Sequence, residues 1–311
     1  MTAIALFLTA LAVLLAVPVP KLLQGARFRT RSPWAAMLLW QAIALAGGLS
    51  MVGAPIVYGL SPFGENLPSA VSTAARLTGQ EDYSALGELD VHPWHIFALC
   101  LGMLLGGHLL LTLVRTYARV LTARRRHRQL VHLLSTPLQN GDDAADTQVI
   151  DHDAPLAYCL PGRTNASSVT VLSRGLLETL NERELAAVVA HEQTHLKQRH
   201  HLLTMAFEAW YRALPWLPTT RYGREAVLEL TEMLADEGAL STSSRQDLLR
   251  SLALSSSDPD EPASGSTHQI TGARLQRLLI PQDPLGTPAL VGVVVVSAAL
   301  LAVPTGLLLL N

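Results

Sequence analysis

His191 and His195 stand four residues apart with Glu192 between them, in the run His191-Glu192-Gln193-Thr194-His195. On a helix that spacing projects both imidazoles from one face, where they can share a metal ion. Glu192 lies about 100° round the helix, within reach of a water on that metal without being a ligand. These are the parts of a zinc hydrolase, in which the metal polarises a carbonyl and acidifies water while a carboxylate moves the proton. A catalytic zinc also needs a third protein ligand and an open position. His201 has the spacing of the extended HExxHxxGxxH form. That form turns its chain at a glycine, however, and this sequence has Gln198 there. The helix is therefore expected to run on and carry His200 and His201 to the surface. Glu232 is the better third ligand, because Glu232-Met233-Leu234-Ala235-Asp236 lies among Leu228, Leu230, Leu234 and Leu240 on a helix with apolar surface to bury. Glu229, earlier in the stripe Glu225, Glu229, Glu232, Asp236, is the runner-up. Asp236, one turn beyond Glu232, is placed to accept the second ring N–H of a ligating histidine. Substrate-binding residues cannot be picked out.

The first His-bearing helix should start at about Asn181, an N-cap with Glu184 three residues on in a capping-box relation. Its apolar stripe runs Leu185, Val188, Val189, position 192 and Leu196, so Glu192 is expected on a buried face. A second helix over Leu202–Leu214 should end at Pro215, and a third should run from about Thr220 to Leu240. Before them, Pro155–Leu160 and Ser168–Leu172 read as short strands about a turn at Pro161-Gly162-Arg163. Two polar stretches, Ser135–Asp153 and Ser255–His268, read as linkers too poor in apolar residues to order themselves.

Across the chain 49% of residues are hydrophobic and only 15% charged, with a formal net charge of −2. Soluble domains carry about 25% charged residues, so the deficit points to a membrane, and the charge gives no reason to expect direct nucleic-acid binding. Four stretches approach the roughly 20 residues needed to span a bilayer. They cover about 2–19, 34–60, 94–114 and 289–310, and none contains Asp, Glu, Lys or Arg. The first lacks the positive residues that precede the apolar run of a signal peptide, and is read as an uncleaved anchor. Basic residues cluster at Lys21–Arg31, at Arg115–Arg128 and at Arg274 and Arg277, whereas the loop Ser61–Pro93 is acidic. The positive-inside rule then puts both termini and the acidic loop outside and the large middle region inside. The Arg124–Arg126 run is best placed for lipid headgroups. His95 and His108, in the third span, lack an acidic partner there and are read as structural. Cys100 and Cys159 have no metal-site or disulfide spacing and are read as ordinary buried residues.

The segments Ala157–Gly162, Val169–Leu172, Gly175–Leu177 and Leu185–His195, with Glu232–Asp236 as an ExxAD element, resemble the gluzincin peptidases of families M48 and M56. Three spans before the site and one after favour M56, the BlaR1/MecR1-like antibiotic-sensor peptidases. The resemblance implies a mainly α membrane protein of the bacterial plasma membrane: residues 1–129 a region of three spans, 130–284 a cytoplasmic α+β zinc peptidase domain, 285–311 the fourth span. It also implies Zn2+ as cofactor, signal-dependent cleavage of a BlaI-like transcriptional repressor as function, and the lipid bilayer as partner. It leaves a homodimer open. The chain ends at Asn311 without the penicillin-binding sensor domain of BlaR1-type proteins, so direct β-lactam acylation is not expected. The alternatives are an M48/HtpX-like quality-control peptidase and a scaffold that keeps zinc for structure only. In such folds a substrate adds as an extra strand to a sheet edge near the metal; Ala154–Leu160 is the candidate edge.

Overall fold

The computed structural model describes residues 1–79, 89–137, 147–162, 168–255 and 271–309. The sequence-based expectations for 80–88, for 138–146 and 256–268 inside the two linkers, for Arg163 and for Leu310 fall outside them.

The first apolar segment is two helices, α1 (Thr2–Ala16) and α2 (Pro18–Gln24), rather than one ending near residue 19. Val17 separates them at φ −126°, ψ −65°, because the ring of a following proline disfavours helical geometry in the residue before it. A basic turn, α3 (Phe28–Arg31), leads into α4 (Pro33–Leu60). Then come α5 (Leu67–Gly79) and the 42-residue α6 (Pro93–Leu134). With α13 (Thr287–Leu309) there are, among the described residues, four helical segments long and apolar enough to cross a membrane. At 1.5 Å per residue α6 is about 63 Å long, twice the roughly 30 Å of a hydrocarbon core. Its basic second half therefore continues beyond the apolar stretch as a stalk. Small residues let the spans close on one another: a Cβ on Gly59 would stand 2.7 Å from Leu99 Cβ, and one on Gly102 2.7 Å from Ile56 Cγ1.

Between α6 and α13 the described residues form a four-stranded sheet and six helices. The strands are β1 (Ser135–Pro137), β2 (Thr147–Ile150), β3 (Ala157–Leu160) and β4 (Val169–Ser173), in the order β1-β2-β4-β3. β2 and β4 are parallel and the other pairs antiparallel, with Tyr158 opposite Val171. β3 is an edge strand, as the sequence suggested. The expectation that Ser135–Asp153 is a linker needs correcting, since both its ends pair as strands; Val149 and Ile150 supply the apolar side chains that the polar middle lacks.

The helices are α7 (Arg174–Thr179), α8 (Glu182–Lys197), α9 (His200–Ala213), α10 (Pro218–Leu240), α11 (Arg245–Ser255) and α12 (Gly272–Leu279). α5, α11 and α12 had no counterpart in the sequence reading. One face of α8 packs on the sheet, where Val188 joins Leu172, Leu176 and Leu180. Its other face meets α10, α11 and α12 through Ala187, Ala239, Leu248, Leu252 and Leu278. A further cluster joins α9 and α10 to the second span: Phe207, Val227, Leu230 and Met233 pack on Ala36, Met37 and Trp40. The peptidase-like region and the spans thus share one core.

Candidate metal centre

The start of α8 follows from its sequence. Asn181 Oδ1 accepts from the Arg183 and Glu184 amides, both at 3.0 Å, and Glu184 Oε2 accepts from the Asn181 amide at 3.0 Å. This reciprocal cap fixes which face of α8 turns inward. His191 and Glu192 are buried on that face, and His195, one turn on, is half-buried.

α10 brings Glu232 to the same place. His191 Nε2 lies 3.5 Å from Glu232 Oε2, His195 Nε2 lies 3.4 Å from Glu232 Oε1, and the two imidazole nitrogens are 3.3 Å apart. Ligand atoms held at about 2.0–2.1 Å by one tetrahedral zinc stand roughly 3.3–3.4 Å from each other. The two contacts to Glu232 are made by its two different oxygens, so the trio gathers two imidazole nitrogens and one carboxylate at the range a zinc site needs. Among the described residues it is the one group of three or more potential metal-binding side chains whose ligand atoms lie within 4.8 Å of one another.

The surrounding polar groups orient this trio. Asp236, 1% exposed, places Oδ1 3.1 Å from His191 Nδ1, the contact its position in the sequence suggested. Arg274, from α12, grips Asp236 with two hydrogen bonds, Nε to Oδ2 at 2.7 Å and Nη2 to Oδ1 at 2.8 Å. Its Nη1 lies 3.0 Å from Glu232 Oε2. Burial alone would raise the Asp236 carboxyl, but hydrogen bonds from Arg274 and His191, with their charges, hold it below the usual range. Burial likewise opposes a charge on His191, yet its bonds to Asp236 and Glu232 leave it above an ordinary imidazole. Nothing in the sequence singled out Arg274. It read as one of two basic residues before the last span, and its partner lies 38 positions earlier.

Glu229, the alternative ligand, is engaged elsewhere: it pairs with Arg29 at 3.1 Å and accepts from the Thr271 hydroxyl at 2.8 Å. The surface location expected for His200 is wrong. α8 stops at Lys197 because Arg199 adopts the left-handed conformation (φ 51°, ψ 37°), so the chain turns without the glycine thought necessary. The cost of that conformation is about 1 kcal/mol for a non-glycine residue. His200 is consequently only 2% exposed, with Nδ1 2.9 Å from His195 Nδ1 and Nε2 2.9 Å from Gln198 Oε1. Burial and the neighbouring His195 push its pKa down to about 3. A neutral ring satisfies both contacts, accepting from His195 Nδ1–H and donating to Gln198. His201, also expected at the surface, is half-buried, and burial with the nearby Arg124 and Arg199 pushes its pKa down to about 4.

His108 has a structural contact, Nε2 to the carbonyl of Ala213 at 3.1 Å. Neither cysteine is in a disulfide, but the burial expected of both is not found: Cys100 on α6 is exposed and Cys159 on β3 is half-buried. Burial pushes the Cys159 thiol up to about 12, so it is inert at neutral pH.

Comparison with known proteins bears on the same segment. Residues 121–215 match the model of peptidase family M48. A 61-residue stretch is 43% identical to a protease HtpX homolog from Acidiphilium cryptum (strain JF-5), covering 20% of this chain and 21% of that protein. The alignment thus spans about a fifth of the relative's length. No solved structure matches. Together with the four apolar helices, these findings support a membrane metallopeptidase with an M48-type segment. They give no support to the M56 assignment that the order of spans had favoured, so the two resemblances exchange rank. The family match takes in His191–His195 but stops before Glu232, Asp236 and Arg274, whose placement rests on the structure.

Proposed function

We propose that the protein is an integral-membrane zinc endopeptidase of the HtpX kind, acting on polypeptides as a quality-control enzyme rather than as a dedicated antibiotic sensor. The observation that carries this is the convergence of His191 Nε2, His195 Nε2 and the Glu232 carboxylate on two packed helices, with each histidine nitrogen 3.4–3.5 Å from one of its two oxygens. Zinc held there supplies Lewis acidity toward a peptide carbonyl and an attacking water. Glu192, buried on α8 beside the histidines, is the carboxylate that would accept a proton from an attacking water and pass it to the leaving amine. Asp236 and His200 fix the ring orientation of His191 and His195 from behind, leaving both Nε2 atoms for the metal. β3, an edge strand among the described residues, packs on α8 through Ala157, and in this reading offers backbone donors and acceptors to an extended substrate.

In this reading the peptidase region lies in the cytoplasm and both termini lie outside, because the basic residues flank the spans on the side of the catalytic helices. Reporter fusions at the termini and in the 61–93 loop test that sidedness.

The activity test compares the full-length protein with Glu192→Gln in detergent or vesicles. The variant should keep its zinc, measured by elemental analysis, and lose cleavage of an unfolded membrane protein. Equal cleavage by both proteins would sink the proposal. Cleavage confined to one repressor of the BlaI kind, and only after an external signal, would restore the regulatory reading that the three-plus-one order of spans first suggested.

A further inference from the structure

The turn joining α9 to α10, residues 213–218, is packed among the spans. Ala213, Leu214 and Leu217 are buried against Ala16 of α1, Met51 of α4, and Leu105 and Leu109 of α6. These spans share one end, marked by Thr2, Leu60 and Pro93: Ala5 packs with Val57, and Gly59 lies against His95 and Leu99. At 1.5 Å per residue, Met51 is about 14 Å from that end, Leu105 about 18 Å, Ala16 about 21 Å and Leu109 about 24 Å. All four depths fall within a hydrocarbon layer about 30 Å thick.

The turn has the chemistry such a depth requires. Irregular backbone in hydrocarbon must satisfy its polar groups internally. Pro215 and Pro218 remove two N–H donors outright. The Leu214 amide donates to Trp210 O and the Leu217 amide to Leu214 O, both at 3.1 Å. The Thr220 hydroxyl, fully buried, lies 2.7 Å from Leu214 O and 2.8 Å from Leu217 O. The carbonyl of Ala213 receives His108 from the third span. The nearest charges, Arg212 and Arg221, are exposed, but their partners lie away from the tip. Arg212 pairs back to Glu208 and Arg221 onward to Glu225, each one helical turn off, which lets the long side chains reach toward the interface. What remains exposed at the tip is apolar, Pro215 and the indole of Trp216, the latter at 74%.

We propose that the α9–α10 turn is a re-entrant membrane element whose Trp216 side chain contacts lipid acyl chains. This rests on the apolar helices crossing a bilayer and is independent of the peptidase reading. It places the metal centre at the membrane boundary, since His200, against His195, is about 20 Å down α9 from Ala213. Met233, beside Glu232, packs on Ala36 and Met37 near the opposite end of α4.

The test uses the full-length protein in phosphatidylcholine–phosphatidylglycerol vesicles with brominated acyl chains. The difference in emission between the parent and Trp216→Phe isolates the one indole. It should be quenched by the bromines and spared by aqueous acrylamide; the reverse pattern overturns the proposal. A second measurement places a spin label at Trp216→Cys in a Cys100→Ser, Cys159→Ser background, with labels at Leu104→Cys and Glu182→Cys as lipid and water references. Oxygen-rich, nickel-poor relaxation matching position 104 supports the proposal, and a match to position 182 overturns it. A water-like label at position 104 would overturn the membrane reading along with it.

Discussion

Arg274 ties three ionic contacts to two carboxylates while only 1% exposed. Its removal would leave Asp236 and Glu232 buried or half-buried with one cation fewer between them. Breaking such a pair costs roughly 3–5 kcal/mol, so Arg274→Leu should lower the stability of the zinc-free protein by about that much, measured by thermal unfolding in detergent. Arg274→Lys should recover part of the loss, because a point charge cannot reproduce the two-pronged grip on Asp236. Unchanged unfolding in Arg274→Leu would remove Arg274 from this account. His200 acts at one remove from the metal by holding the Nδ1 side of His195. His200→Phe should weaken zinc binding about 10–100-fold, the usual effect of losing such a support, as read by competition with a chromogenic chelator. The five-residue motif, Glu232 and Asp236 were legible in the sequence because spacing and burial both favoured them. Arg274 was not, since a basic residue ahead of a span has an ordinary topological explanation. His200 was hidden by a rule about glycine that a single positive-φ arginine evades.

α8 and α10 must approach closely for their side chains to meet on one ion, and Gly238 permits it. A Cβ there would stand 2.1 Å from the Thr194 hydroxyl oxygen and 2.8 Å from Thr194 Cβ. Gly238→Val should therefore force the helices apart next to the metal centre, cutting zinc stoichiometry and activity together while leaving helix content by circular dichroism nearly unchanged. Full zinc occupancy in that variant would show that the approach is set elsewhere. Zinc should in turn hold the two helices together: at a free concentration about 100 times its Kd it adds roughly 2.7 kcal/mol to stability. Chelation should lower the unfolding temperature of the wild type and leave His195→Ala unmoved. At this scale the longest elements were the most readable. α8 and α10 declare themselves by caps and apolar period, whereas α12, only 8 residues long, and the short strands β1 and β2 depend on partners distant in the chain.

For the molecule as a whole, residues 130–284 look separable by composition, but the packing says otherwise. Phe207, Val227, Leu230 and Met233 are buried partly against Ala36, Met37 and Trp40 of the second span. Uncovering four such side chains forfeits on the order of 1.5–3 kcal/mol each, comparable in sum with the roughly 5–15 kcal/mol that stabilises an entire domain. The excised 130–284 fragment should therefore aggregate or bind no zinc when the full chain binds one ion; a monodisperse, zinc-loaded fragment would refute the shared core. No periodicity within either region shows that sharing, because it depends on which apolar face meets which. The same connectedness gives α6 a mechanical meaning. It passes without an interior proline from the far end of the spans to β1, the strand that opens the sheet. Pivoting such a rod by about 3° near its midpoint swings its end by about 1.6 Å. Misplacement of about 1 Å can cost a reaction a hundredfold. A small tilt of the third span would thus be felt in the sheet that packs on α8, and a disulfide or spin-label pair across the β1 end of α6 would report it.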